Sequence, residues 1–166
     1  MSGGTLILVA TPIGNLGDMT QRATEALSNA DVVCCEDTRR TGLLLQHLGI
    51  SGKKYIVINE HTEHDACEDV VQRILGGSNV ALVSDAGTPG ISDPGERLVK
   101  AALSSGITVS AMPGASALTM ALVMSGLSTS RFVFEGFLPR SGAERTQRIA
   151  GIVDEQRTVV LYEAPH

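Results

Sequence analysis

Tryptophan is absent from the 166 residues, and two tyrosines and three phenylalanines supply the only aromatic surface. A core without large rings has to be assembled from Val, Leu, Ile and Ala, the mix found in parallel sheets covered by helices on both faces. Cysteine is scarce as well. The three present form no C-x-x-C pair, and Cys34 and Cys35 are adjacent, so on a strand they point to opposite faces. That excludes a disulfide scaffold and leaves them as small buried hydrophobes. The four histidines, His47, His61, His64 and His166, make no H-E-x-x-H pattern, so no metal is expected. No apolar run approaches the roughly 20 residues of a membrane span, and no basic stretch precedes the short apolar run at the N-terminus. The expectation is a cytoplasmic protein without membrane association. G-x-G-x-x-G and Walker patterns are missing after the first apolar run, so the usual dinucleotide and nucleoside-triphosphate cradles are not signalled.

What is present describes a packed α/β chain. Hydrophobic residues at 43% and charged residues at 19% exclude disorder, and the length suits one domain or slightly more. Short β-branched runs at 6–10, 32–35, 55–58, 80–83 and 107–111 alternate with amphipathic stretches. Ala23, Ala26, Leu27 and Ala30 share one helical face, and Leu98, Val99, Ala102 and Leu103 share another that stops at Gly106. Further helices are expected over 43–48 before Gly49, over 65–75 before Gly76 and Gly77, and over 118–125 before Gly126. The pattern predicts a five-stranded parallel sheet with helices on both faces, complete by residue 126. Beyond it, residues 131–137 hold all three phenylalanines, followed by a predicted helix over 144–154 and a strand over 158–162. One strand, one helix and one strand do not make a stable domain. Residues 127–166 are therefore expected to begin a truncated second α/β domain, with the chain a fragment.

In an open parallel sheet, ligands bind outside the carboxyl ends of the strands, so the loops at 11–18, 36–41, 59–65, 84–95 and 113–116 are the ones that matter. Glycine and proline concentrate there, above all in the fourth. Asp85, which opens that loop, either accepts hydrogen bonds from a ligand ribose or amine or braces its own turn. Ser116 caps the next helix or helps present its first N–H groups to a ligand. Glu36, Asp37, Asp85 and Asp93 could converge on magnesium but read better as solvated turn residues. Arg39 and Arg40 form a fork on a rim loop, suited to phosphate. Arg140, Arg145 and Arg148, set against Glu144, make 138–148 locally basic within a chain of net charge −5. Net acidity argues against indiscriminate nucleic-acid binding, while a local patch can dock one defined RNA site.

Read in order, the loops resemble the bacterial ribosomal small-subunit RNA 2′-O-methyltransferase I family, within the tetrapyrrole methylase superfamily of class III S-adenosylmethionine-dependent enzymes. The resemblance rests on Leu8-Val9-Ala10-Thr11-Pro12-Ile13-Gly14-Asn15-Leu16, on Glu36-Asp37-Thr38-Arg39 and on the run from Leu82-Val83-Ser84-Asp85-Ala86-Gly87-Thr88-Pro89-Gly90-Ile91 through Ser92-Asp93-Pro94-Gly95. It rests further on Pro113-Gly114-Ala115-Ser116-Ala117 and Gly136-Phe137-Leu138-Pro139. It implies a two-domain homodimeric enzyme with S-adenosylmethionine in the interdomain cleft, held by Pro12, Asp85, Gly87, Thr88, Gly90, Ile91, Ser116 and Ala117. The implied substrate is small ribosomal subunit RNA, at the ribose of a decoding-region cytidine. Porphyrin-methylating members carry Gly-x-Gly where this chain has Thr11-Pro12-Ile13-Gly14-Asn15, which favours the RNA branch. The third loop, Asn59-Glu60-His61-Thr62-Glu63, keeps only part of the family's His-Glu-His-Asn-Glu, and the ending Glu163-Ala164-Pro165-His166 resembles a point where the family continues. Candidate bases for activating the hydroxyl are Glu36, Asp37 and His61. Arg39, Arg140 and Arg145 are the expected RNA contacts. The alternatives are a tetrapyrrole or other small-molecule methyltransferase and a noncatalytic nucleotide-binding domain.

Overall fold

A computed structural model describes residues 3–59 and 62–164. The chain divides into two compact units, Met1–Ala115 and Ser116–His166. The first is built from β1 (Thr5–Val9), α1 (Gln21–Asn29), β2 (Val32–Cys35), α2 (Thr38–His47), β3 (Lys54–Val57), α3 (Glu63–Leu75), β4 (Val80–Leu82), α4 (Glu96–Ser104) and β5 (Thr108–Met112). The strands form one parallel sheet in the order β3-β2-β4-β1-β5.

That order dictates which face each helix covers. The connections β1–α1–β2 and β2–α2–β3 run toward one edge, whereas β3–α3–β4 and β4–α4–β5 run toward the other, and a right-handed crossover then places the two pairs of helices on opposite faces. The buried residues sort accordingly. Leu6, Val32, Cys34, Val80 and Leu82 pack with Val70, Val71 and Ile74 of α3 and Leu98 and Ala102 of α4. Val9, Val33, Cys35, Ala81 and Val83 pack with Ala23, Ala26 and Leu27 of α1 and Leu45 of α2. Adjacent Cys34 and Cys35 thus enter different cores, as period-2 alternation requires, and burial pushes the Cys34 thiol up to about 12.

Strand limits differ from the sequence reading by about one residue, a displacement typical of element ends. The start of α2 differs by more. The apolar pattern suggested 43–48, but the helix begins at Thr38 because Asp37 caps it, accepting from the Arg39 N–H at 2.8 Å. Arg39 and Arg40 therefore occupy a first helical turn and not a loop. Lys53 closes the far end of α1, its Nζ donating to the carbonyls of Ser28 and Ala30 at 2.6 and 2.8 Å.

The second unit contains α5 (Ala117–Met124), β6 (Phe132–Phe137), α6 (Gly142–Asp154) and β7 (Thr158–Tyr162), with β6 and β7 paired in parallel. The sequence reading had placed α5 with the first sheet and divided the chain after residue 126. Here α5 groups with β7, and the Leu118 N–H donates to Tyr162 Oη at 3.1 Å. Tyr162 also packs edge-on against Phe134, with ring centroids 4.9 Å apart. Among the described residues no helix is long and apolar enough to cross a membrane.

Candidate functional site

The loops after β1 and β4 leave neighbouring strands toward opposite edges of the sheet, the arrangement that opens a crevice at the carboxyl end of a parallel sheet. In this molecule the two loops are fastened together. The Thr11 N–H donates to Gly87 O at 2.8 Å and the Gly87 N–H donates to Thr11 O at 3.1 Å, a two-bond antiparallel bridge. Buried Thr11 adds a third link, Oγ1 donating to Ser84 O at 3.1 Å. Gly87 holds φ +88, a left-handed conformation that a side chain would strain. Thr88 Oγ1 donates to Ala115 O at 3.3 Å, tying in the loop after β5.

The loop after β2 joins the same rim through Glu36, whose Oε1 accepts from the Asp85 N–H at 3.0 Å. Asp85 Oδ2 meets Arg40 Nη1 at 3.3 Å, while Asp85 Oδ1 is buried and has no hydrogen-bond partner. Burial raises the pKa of Glu36, with the charges of Asp93 and Asp85 adding to the rise and the Asp85 N–H opposing it. Burial likewise raises Asp93, while a hydrogen bond from Ser84 opposes. A carboxylate oxygen left unpaired among like charges is costly unless a ligand donor supplies the missing bond. Among the described residues no three His, Cys, Asp or Glu side chains are placed to hold a metal ion, so the magnesium arrangement weighed from sequence does not form there.

The other candidates separate. Asp37 is committed to α2: its carboxylate takes a two-pronged contact from Arg39 Nε and Nη2 at 3.1 and 2.8 Å, and those bonds hold its pKa at about 2. Arg39 is thereby paired and turned outward, 88% exposed, while its neighbour Arg40 is the arginine that reaches the rim. His61 lies outside the described residues. Pro12, Asp85, Gly87, Thr88, Gly90 and Ile91 are all carried by the fastened loops of the first unit. Ser116 and Ala117 open the second unit, where Ser116 takes the cap position of α5 without a side-chain cap bond. In that unit the basic run of 138–148 is partly spent on structure. Arg145 donates to Pro139 O at 2.9 Å and pairs with Glu163, and Arg148 pairs with Glu135 at 2.7 Å. Arg140 stays exposed.

Sequence reasoning passed over Thr11 as a clamp and set Arg40 behind Arg39. The signal for Arg40 was the helical spacing to Leu43 and Leu44, which becomes visible once the helix is started at the Asp37 cap. Arg40, Leu43 and Leu44 join Thr11, Pro12, Leu16 and Asp85 around a cavity of about 280 Å³. A second cavity of about 310 Å³, lined by Leu8, Pro89, Gly90, Gly95 and Val99 among others, lies on the α4 side of the fourth loop.

The two rim loops are thus pinned together beside a partnerless carboxylate oxygen on a five-stranded parallel sheet. Residues 5–166 match the family model for tetrapyrrole (corrin/porphyrin) methylases, and the chain belongs to that family. Within it, the chain is 53% identical over 163 residues to the ribosomal RNA small subunit methyltransferase I of Synechocystis sp., a match covering 98% of this chain and 58% of that protein. It is 47% identical over 163 residues to the protein of the same name from Haemophilus influenzae, covering 98% of this chain and 57% of that one. The chain thus spans under three fifths of the length of these relatives. Among solved structures, a conserved hypothetical protein of Aeropyrum pernix superposes with a TM-score of 0.68 at 26% identity, covering 83% of this chain and 48% of that one. Diphthine synthase superposes at 0.69 with 18% identity, covering 98% of this chain and 65% of that one, a likeness of fold alone.

Proposed function

We propose that the protein is an S-adenosylmethionine-dependent methyltransferase acting on a ribose 2′-hydroxyl of a cytidine in small-subunit ribosomal RNA, and that the fastened rim of the first unit receives the methyl donor. The observation that carries this reading is Asp85 Oδ1, buried and unpaired at the head of a glycine–proline loop. It is an acceptor waiting for a hydroxyl or amine donor. The loop fits such a ligand, because Gly90 holds φ +81 with open space where a side chain would stand. Thr11, Pro12, Gly87, Thr88 and Ile91 complete that rim, and Ser116 and Ala117 join the set on the resemblance alone. The identity to relatives named for the ribosomal RNA activity supports RNA as the acceptor.

When bound, S-adenosylmethionine supplies a methyl group on a sulfonium, ready for in-line displacement. The chain contributes alignment, which accounts for much of the rate in such a reaction. Of the described base candidates, Glu36 suits the task better than Asp37: burial raises its pKa, whereas the Arg39 bonds make Asp37 a weak base. Arg140 offers an exposed cation for RNA, with Arg145 and Arg39 the weaker candidates because each already holds a carboxylate. The homodimer implied by the resemblance is supported by the exposed apolar side chains of α5, Met120, Val123 and Met124. On this reading the protein works in the cytoplasm, alongside its ribosomal substrate.

The test is to incubate the full-length parent protein with methyl-labelled S-adenosylmethionine and small ribosomal subunits from cells that lack this modification. Label recovered on the 2′-oxygen of one cytidine is the expected result. Label on a base, or transfer to a tetrapyrrole and not to subunits, overturns the reading.

A further inference from the structure

The proposed function leaves open where the acceptor sits. We propose that the cavity beside Asp85 seats the acceptor ribonucleotide, its base against the leucines of α2 and its phosphate on Arg40. This rests on the methyltransferase reading above and adds a site to it.

Volume and wall chemistry point to that occupant. At about 280 Å³ the cavity falls at the lower edge of the ~300–1,000 Å³ of small-molecule sites, a size for one nucleoside. Pro12, Leu16, Leu43 and Leu44 make its walls apolar, and Leu43 and Leu16 stand 68% and 47% exposed, surface that an unstacked base would cover. The apolar walls suit the face of a base. Among the described residues lining the cavity the one cation is Arg40, at 69% exposure, and its contact with Asp85 at 3.3 Å engages a single nitrogen. A guanidinium has five N–H donors, so the rest of the fork can meet a phosphate. Arg39 does not line the cavity, and its Nε and Nη2 already hold Asp37.

Placement agrees with chemistry. Asp85 belongs both to the cavity wall and to the glycine–proline loop, so an acceptor in the cavity and a donor on the loop share a boundary. Methyl transfer needs that adjacency. Arg40 also holds Asp85 Oδ2, so an incoming phosphate and the rim carboxylate bear on the same guanidinium. Arg40 is accordingly a substrate-positioning residue.

The test is methyl NMR on the leucine-labelled chain, titrated separately with cytidine 5′-monophosphate, cytidine and S-adenosylhomocysteine at millimolar concentration. Cytidine 5′-monophosphate should shift the methyls of Leu16, Leu43 and Leu44, and cytidine should bind about tenfold more weakly. Arg40→Ala should bring the monophosphate down to the affinity of cytidine, and Arg40→Lys should recover part of the loss. In a nitrogen-15-labelled sample, S-adenosylhomocysteine should shift the amides of Gly87, Thr88, Gly90 and Ile91 in parent and variants alike. The core methyls of Leu27 and Leu45 report that each variant is folded. If S-adenosylhomocysteine moves those amides while the monophosphate moves none of the three leucines, the acceptor cavity is wrong and the donor reading stands. If Arg40→Ala weakens S-adenosylhomocysteine and not the monophosphate, the guanidinium serves the donor's carboxylate and the proposal falls. Leucine shifts without any response to S-adenosylhomocysteine keep the nucleotide site and remove the methyltransferase reading beneath it.

Discussion

Replacing Thr11 by valine isolates one hydrogen bond in the clamp between the first and fourth rim loops. Thr11 is 2% exposed, Ser84 is 3% exposed, and the bond from Oγ1 to Ser84 O measures 3.1 Å. Valine keeps the branching and nearly the volume while deleting the hydroxyl, so Ser84 O loses that donor where water cannot replace it. Stranding a buried acceptor costs about 1–3 kcal/mol. The added methyl returns on the order of 0.8 kcal/mol, leaving a net loss of roughly 0.2–2.2 kcal/mol. At roughly 2–4 °C per kcal/mol for a chain of this size, the melting temperature should fall by a few degrees. A local readout sharpens the test. The Gly87 N–H bonds to Thr11 O at 3.1 Å, and its hydrogen exchange should accelerate by up to about fortyfold as the clamp loosens. Thr11→Ser keeps the hydroxyl and loses only a buried methyl, so its Gly87 amide should stay protected. A valine variant as stable as the parent, with Gly87 exchange unchanged, would show that the side chain contributes nothing to the clamp.

Asp85→Ala should weaken S-adenosylhomocysteine by about 1–3 kcal/mol in calorimetry without lowering the melting temperature, because it also removes an unpaired buried oxygen; unchanged affinity takes Asp85 out of the donor site. Gly95→Ala combines φ +132 with a Cβ placed 2.8 Å from Leu82 Cδ2 in the core, and should cost about 2–4 kcal/mol in urea denaturation; a cost under half of that means the 84–95 loop is softer than described. The carboxylates beside β2 should titrate with opposite signs. Asp37 is held below its ordinary 3.8, so its stabilisation is complete above that value and is lost as pH falls toward about 2. Glu36 is held above its ordinary 4.5, so stability declines as pH rises from there through its folded value. Asp37→Asn should flatten the acid limb and Glu36→Gln the limb above it, both read from urea midpoints across pH; identical profiles would refute the assignment.

Much of the sheet was legible because burial on both faces leaves short, almost wholly apolar strands between amphipathic helices, and because glycines mark the helix ends. Gly106, at φ +71 just after α4, is one such stop. The strand order was not legible. Nothing in the run Val80–Leu82 says that β4 inserts between β2 and β1, and that insertion is what crosses the first and fourth loops. The opening turn of α2 was hidden because Thr38, Arg39 and Arg40 carry no apolar signal, and only the Asp37 side chain marks the start. The basic character of 138–148 was visible, but its neutralisation was not, because Glu135 and Glu163 lie 13 and 18 residues from the arginines they meet. Helix α5 misled for a different reason. It is apolar all round, so its pattern names no preferred face and does not tell which sheet it accompanies.

The adjacent cysteines of β2 give the molecule a pair of internal clocks. A thiol reacts as its thiolate, and one held near 12 by burial is inert until its surroundings open. Cys34 is shielded by the α3–α4 layer and Cys35 by the α1–α2 layer, although one peptide bond joins them. Unequal rates of alkylation in the native protein therefore tell which layer of helices peels from the sheet first. Equal rates tell that both lift together.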